Sequence, residues 1–388
     1  MTSKKGTLQR MPPKFSAGQV FFCIMSIFCL LLILRNSEAA IEYMGRGLTL
    51  CAHTVIPSLF PFLVISELLV QSGAGEALGR LLSKPMRWLF GLSGAGCSAV
   101  VLGSMCGFPV GASTAVSLLD KNVISKSECE HLLTFSNNPS SGFIITAVGT
   151  ALFGSHKLGL ILYLTVLGTG FFIGFLMRFF LRDRRVQASG REHPHFPSGL
   201  HPGGISTFTG AVTHATTSML TVSAYVIFFS AMTGALSHMI RSIGHMSDTA
   251  YAILCGLLEM SGGISEAASL VGETSLPCLP VVLAAAMAGW SGISVHAQIM
   301  TLCGGRGLSF KPYIIAKALQ GLLCGMVMWI ILSVINPADL PPLSEAVAVW
   351  LPTFSSMGLI SSSLTLLSHI GMVAGLIAKF WRGSSKPL

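Results

Sequence analysis

Gly107-Phe108-Pro109-Val110-Gly111 and Ser136-Asn137-Asn138-Pro139-Ser140-Ser141-Gly142 each interrupt a long apolar stretch, and about 150 residues later the pattern recurs. The second copy reads Glu259-Met260-Ser261-Gly262-Gly263-Ile264-Ser265-Glu266, then Gly289-Trp290-Ser291-Gly292-Ile293-Ser294-Val295-His296-Ala297-Gln298. Gly, Pro, Asn and Ser stop a helix and free backbone N–H and C=O groups. Inside a bilayer such groups survive only where protein or a water-filled cavity satisfies them. Matching broken segments in the two halves of a membrane protein point to a central solute site.

The surrounding composition fixes the class. Of 388 residues, 52% are hydrophobic and 10% charged, against about 25% charged in a soluble domain. Mean hydropathy is +0.71. The chain reads as an all-α, polytopic membrane protein. The net charge of +9 does not call for nucleic acid, because the cations sit in termini and loops, where the positive-inside rule places them. Ten cysteines include no Cys-x-x-Cys pair, so they read as small buried side chains.

Walking along the chain gives five regions: 1–45, a cytoplasmic N-terminus and first helix; 46–181, a first repeat; 182–210, a cytoplasmic loop; 211–335, a second repeat; and 336–388, an outer loop, a last helix and a basic tail. Lys4, Lys5, Arg10 and Lys14 precede the first apolar run, read as a retained helix over 17–34 rather than a cleaved signal. Residues 48–70 form a segment broken at Pro57 and Pro61. Residues 76–90 set Arg80, Lys84 and Arg87 against Leu and Trp, as an interfacial helix does. Residues 97–119 are cut at 107–111, and 128–154 read as two short helices joined at 137–139. Full spans cover 158–181 and 313–335. In the second half the expected cuts lie at 261–263 and 290–294. The loop 182–204 carries four arginines and is placed inside. Its His193, His195 and His201 alternate with prolines, as in a linker. The loop 336–345 lacks cations and is placed outside, and a last helix covers 354–380. Each repeat then crosses an odd number of times, so the two are inverted repeats containing broken helices or re-entrant hairpins.

A helix that stops in mid-membrane presents N–H donors at one end and C=O acceptors at the other, and the donor end attracts anions. The expected substrate contacts are Gly107, Pro109 and Gly111; Ser136, Asn137, Asn138, Ser140 and Ser141; Ser261, Gly262 and Gly263; and Ser291, Gly292, Ser294 and Gln298. Asn137 and Asn138 have no core-packing rationale in an apolar stretch. Glu259 and His296 are the expected charged or coupling residues. Glu266 reads as solvated, near a helix end. Gly168, Gly174, Gly321 and Gly325 suit helix–helix contacts. No Walker, His-Glu-x-x-His or Gly-x-Ser-x-Gly motif occurs, so the chain does not read as an enzyme, and no cofactor or metal is expected.

Ile56-Pro57-Ser58-Leu59-Phe60-Pro61-Phe62, Ser66-Glu67-Leu68-Leu69, Gly107-Phe108-Pro109-Val110-Gly111 and Phe135-Ser136-Asn137-Asn138-Pro139 resemble the sporulation integral membrane proteins of the YlbJ type, also called stage V sporulation protein V. The resemblance covers about residues 45–335. It implies a nucleoside-recognition gate domain, similar to the helical-hairpin core of concentrative nucleoside transporters. It also implies a role in endospore formation, moving dipicolinic acid across the outer forespore membrane. The partners expected on this basis are an anionic solute such as dipicolinate, the lipid bilayer, and a coupling proton or cation, with a homo-oligomer left open. Transport of a nucleoside or other small solute, and a non-transporting structural role in a sporulation complex, are the alternatives.

Overall fold

The long apolar stretches form helices, and their interruptions divide those helices into two matching sets. A computed structural model describes residues 17–71, 81–181, 205–244 and 246–334, and no strand occurs among them. The expected interfacial helix lies partly, and the outer loop and last helix lie wholly, outside the described residues; of the loop expected over 182–210, residues 182–204 also lie outside them, and residues 205–210 are instead the first turns of a helix that begins at Ile205. Helix α1 (Ala17–Arg35) bends sharply, by 97°, into α2 (Ser37–Leu50). A π-type turn (Cys51–Val55) leads on to α3 (Ile56–Gln71). The expected break at Pro57 and Pro61 is corrected here: the helix runs through Pro61. The wide turn just before Pro57 loosens the ladder where a residue without an N–H enters it.

The first repeat continues with α4 (Cys97–Cys106), α5 (Val110–Asp120), α6 (Lys126–Phe135), α7 (Phe143–Leu152) and α8 (His156–Phe180). The second comprises α9 (Ile205–Ile243), α10 (Asp248–Leu258), α11 (Met260–Ser269), α12 (Leu279–Trp290), α13 (Gly292–Cys303) and α14 (Lys311–Val334). Four stretches are long and apolar enough to cross a bilayer as they stand: His156–Phe180, Phe208–Ser242, Leu279–Cys303 and Lys311–Val334.

The first interruption of each repeat folds the chain back on itself. α4, α5, α10 and α11 have 10 or 11 residues each, about half of what a bilayer core requires. Gly103 and Gly111 flank the first turn. A Cβ on Gly103 would lie 2.8 Å from Gly111 Cα. Gly256 and Gly263 flank the second turn, and a Cβ on Gly263 would lie 2.1 Å from Gly256 Cα. Paired glycines let the two arms of each re-entrant hairpin touch along their backbones.

The second interruption breaks a helix that continues in the same direction. Along α8, Gly174 faces His131 and Phe135, Gly170 faces Asn138, and Gly159 faces Gly149. α6 and α7 therefore run antiparallel to one straight neighbour, with the break between them. Along α14, Gly325 faces Val282 and Ala286, Gly321 faces Trp290, and Tyr313 meets His296. α12 and α13 thus lie along α14 in the same manner.

The ends of these elements define two opposite faces. On one, Arg306 between α13 and α14 holds Asp120 at the end of α5, with Nε–Oδ1 at 2.7 Å and Nη2–Oδ2 at 2.8 Å. This pairing holds the Asp120 carboxyl below the usual range. Ser127 at the start of α6 donates to Leu181 O at the end of α8, 3.3 Å. On the other face, Arg46 of α2 lies 3.9 Å from Glu266 of hairpin α10–α11, and His238 of α9 meets Asn36 at 3.0 Å. Hairpin α4–α5 enters from the first face and hairpin α10–α11 from the second, so the repeats are inverted. In the sequence the basic run Arg182–Arg191 follows α8, whose C-terminal end lies on the Arg306 face.

Gly263→Ala should lower the melting temperature in detergent or abolish folded yield, because overpacking costs about 1–3 kcal/mol or more. Gly168→Ala, with nothing within 4 Å, should be neutral. Equal melting of the two variants would contradict the close pairing of α10 and α11.

Candidate functional site

Each hairpin tip is fastened to the break that follows it in the chain. Phe108 N–H at the tip of α4–α5 donates to Asn138 O, 2.9 Å. A Cβ on Gly107 would lie 2.4 Å from Ser140 N, and one on Gly111 would lie 2.0 Å from Ser136 O. Gly107 (φ 80°) thus serves close approach to the broken helix. In the second repeat Gly292 (φ 81°) lies against Met260 N and Glu259 Cα, at 2.9 and 3.2 Å from a built Cβ. Gly107, Gly111 and Gly292 therefore face backbone. Pro109 sits at the start of α5.

All four interruptions meet around one small cavity of ≈30 Å³. Its walls are Phe108 from the first tip, Pro139, Ser140 and Phe143 from the first broken helix, Glu259, Met260 and Ser261 from the second tip, and Ser294, Val295 and Gln298 from the second broken helix. Val55, Val222 and Val226 close it from the scaffold helices. The space suits a water or two. A second, wider cavity of ≈650 Å³ opens along Tyr43, Arg46, His53, Ser230, Thr233, Cys255, Ser265 and Glu266, and reaches Glu259 and Gly262. Its size is that of a small-molecule site, about 300–1,000 Å³. Glu259 borders both cavities.

Glu259 is where the second hairpin turns. Its backbone is extended (φ −143°, ψ 121°), and its side chain accepts from Ser261 N–H at 3.0 Å and from Gly262 N–H at 2.6 Å. A carboxylate therefore already caps the N-terminus of α11, the end where a helix favours negative charge. The expected cut at 261–263 is corrected: those residues form the first turn of α11, and the break is Glu259 itself. The expected cut at 290–294 narrows to Ser291 (φ 77°) and Gly292, while Ser294 is helical. Glu266, expected to be solvated, is half-buried beside Arg46. The Arg46 guanidinium also pairs with Glu42 at 2.6 Å and lies 4.6 Å from the Tyr43 ring centre.

Several polar atoms at the centre have no hydrogen-bond partner among the described residues. They are Ser136 Oγ, Ser294 Oγ, His296 Nε2 and Gln298 Oε1, and the Asn137 carboxamide has no neighbour to pair with other than the Tyr313 hydroxyl. All five side chains are buried. Native proteins leave few buried polar groups unpaired, so a concentration of them at one place marks room for a polar guest. The Asn137 carboxamide adjoins the Tyr313 hydroxyl, which pairs with His296 Nδ1 at 3.0 Å. The neighbours are spoken for. Ser140 Oγ accepts from Phe143 N–H at 3.1 Å, Ser141 Oγ donates to Met105 O at 3.3 Å, and Ser291 Oγ donates to Ala288 O at 3.4 Å. Asn138 Nδ2 donates to Phe135 O at 2.8 Å.

Sequence reasoning missed Lys317 and Gln320, one turn apart on α14 and wholly buried. Lys317 Nζ donates to Asn138 Oδ1 at 3.3 Å and to Gln320 Oε1 at 2.9 Å. Gln320 Nε2 donates to Asn138 Oδ1 at 2.8 Å and to Val166 O at 3.0 Å. The signal was present: a lysine about one turn inside the start of a span read as 313–335.

The chain is similar to the sporulation integral membrane protein YlbJ of Bacillus subtilis (strain 168). The two are 28% identical over 334 residues, which is 78% of this chain and 81% of that protein. No family profile matches the chain, and no solved structure matches it.

Glu259→Ala should destabilise the protein more than Glu259→Gln, because the amide oxygen still accepts one N–H. Each buried N–H left unpaired costs about 1–3 kcal/mol. Thermal melting in detergent checks the order wild type, Gln, Ala. An Ala variant as stable as wild type would show that α11 does not need the cap.

Proposed function

We propose that this YlbJ-type, multi-pass membrane protein is a secondary transporter or facilitator of a small polar anionic solute, dipicolinic acid foremost, across the outer forespore membrane during endospore formation. The sporulation setting rests on the likeness to the Bacillus protein. The transport reading rests on one observation: two hairpins and two broken helices from inverted repeats meet at a small cavity whose walls include the unpaired Ser294 Oγ and Gln298 Oε1, with further unpaired polar side chains buried nearby.

In this reading the wide cavity is the vestibule. It opens on the face of hairpin α10–α11 and ends at Glu259. Arg46 at its wall is held by Glu42 and Glu266, and an entering anion would compete with those carboxylates for the guanidinium. The small cavity is the same site in its narrow form, and it must widen to admit a solute. Withdrawal of hairpin α10–α11 from Ser294 and Gln298 joins the two spaces. Asn137, Ser294 and Gln298 then supply amide and hydroxyl groups for carboxylate oxygens and a ring nitrogen. On the opposite face the Asp120–Arg306 pair holds that side shut, and its release with hairpin α4–α5 opens the other exit. Such exchange of access around a fixed centre is how inverted-repeat transporters work. Glu259 moves with its hairpin, since it caps that hairpin's own helix. It is placed to respond to a coupling proton or cation from the vestibule.

Proteoliposomes containing the purified chain should release trapped dipicolinate faster than empty vesicles. The double variant Asn137→Ala, Ser294→Ala should lower the rate at least about tenfold, which corresponds to roughly 1.4 kcal/mol, while melting close to wild type. Release by the wild-type chain no faster than from empty vesicles would overturn the transport reading and favour a structural role.

A further inference from the structure

Lys317 has a feature that the transport reading does not use. Its ammonium is fully buried in α14 of the second repeat and reaches the break of the first repeat. None of the ion pairs among the described residues includes it. An ammonium taken out of water without a carboxylate is costly in a bilayer, so its placement calls for an explanation.

The surrounding hydrogen bonds supply one. Both side-chain oxygens, Asn138 Oδ1 and Gln320 Oε1, point at Nζ. Both side-chain nitrogens point away, Asn138 Nδ2 to Phe135 O and Gln320 Nε2 to Val166 O and Asn138 Oδ1. Two side-chain oxygens thus accept from Nζ, and Asn138 Oδ1 is shared between the ammonium and Gln320 Nε2, so the oxygens that surround the cation are themselves held in place. Asn138 also binds the last turn of α6, a half-helix whose carbonyl end favours positive charge. Neutral oxygens beside an unwound helix are where membrane transporters coordinate a mobile cation.

We propose that Lys317 is a tethered cation: its ammonium fills an oxygen-lined cation site between Asn138 and Gln320, and it locks the first broken helix to α14 without a dissolved ion. The site takes a small monovalent cation by chemistry, and the chain supplies its own. Two consequences follow. The protein needs no sodium to hold this break. Removing the side chain leaves a hole that a small ammonium ion can enter.

The test uses the full-length chain in detergent and does not depend on which solute is carried. Melting of the wild type should be unchanged when sodium is replaced by choline. Lys317→Ala should melt about 3 °C or more below wild type and recover in methylammonium chloride, but not in tetramethylammonium chloride at equal ionic strength. A wild type stabilised by sodium, or a Lys317→Ala variant indifferent to methylammonium, would overturn the proposal. Lys317→Met keeps the volume filled in case the smaller variant does not fold. It should show no rescue by methylammonium, and a Met variant that methylammonium stabilises would also overturn the proposal. Absence of wild-type dipicolinate release would remove the transport reading alone, because the rescue measurement would stand unaffected.

Discussion

A peptide group released from a helix inside hydrocarbon must find its partner within the protein. That constraint organises the centre of this molecule. Four helices end in mid-membrane, and three of the freed ends are met by something specific. Phe108 N–H finds the carbonyl of Asn138. The first N–H groups of α11 find the Glu259 carboxylate. The last turn of α6 is met by the Asn138 amide. Because the partners of one break lie on or beside another, the breaks are drawn to one place. The cavity is a result of that mutual satisfaction, and the glycines at 103, 107, 111, 256, 263 and 292 allow the close approach it requires.

The two repeats solve the same problem differently. The tip of hairpin α4–α5 borrows main chain from the neighbouring broken helix. The tip of hairpin α10–α11 carries its own cap in Glu259. A hairpin that borrows its partner loses a hydrogen bond when it moves away. One with a built-in cap keeps its satisfied end. Hairpin α10–α11 keeps one bond to its broken helix as well, Trp290 Nε1 donating to Leu257 O at 3.1 Å, and the wide cavity lies on its side. Inverted repeats thus give the architecture its symmetry, and Glu259 gives the two tips different caps.

Much of the architecture was legible because breaks in apolar runs are written in residue chemistry. Asn137, Asn138 and Pro139 announce a stop that no packing argument explains, and Gly107-Phe108-Pro109 does the same. The finer placement was not legible where one side chain does a backbone's work. Glu259 was read as a buried charge and its neighbours Ser261–Gly263 as the break, because a carboxylate capping a helix in mid-membrane leaves no mark of its own beyond the charge. Pro57 and Pro61 were read as breaks because sequence does not display the π-type turn ahead of them. Whether an interruption folds back or runs on depends on paired glycines across a turn, seen only once the arms lie side by side. Lys317 and Gln320 were overlooked because the span around them is otherwise apolar, and their partner Asn138 lies 179 residues from Lys317 in sequence.

The account stands on the claim that the meeting point of the four breaks receives the solute. An experimentally determined structure of the chain in lipid with saturating dipicolinate tests this most directly. The account predicts density for the ligand between Asn137, Ser294 and Gln298, in a cavity enlarged beyond the present ≈30 Å³ and continuous with the vestibule. A centre still closed, with the ligand absent or bound elsewhere, would contradict it.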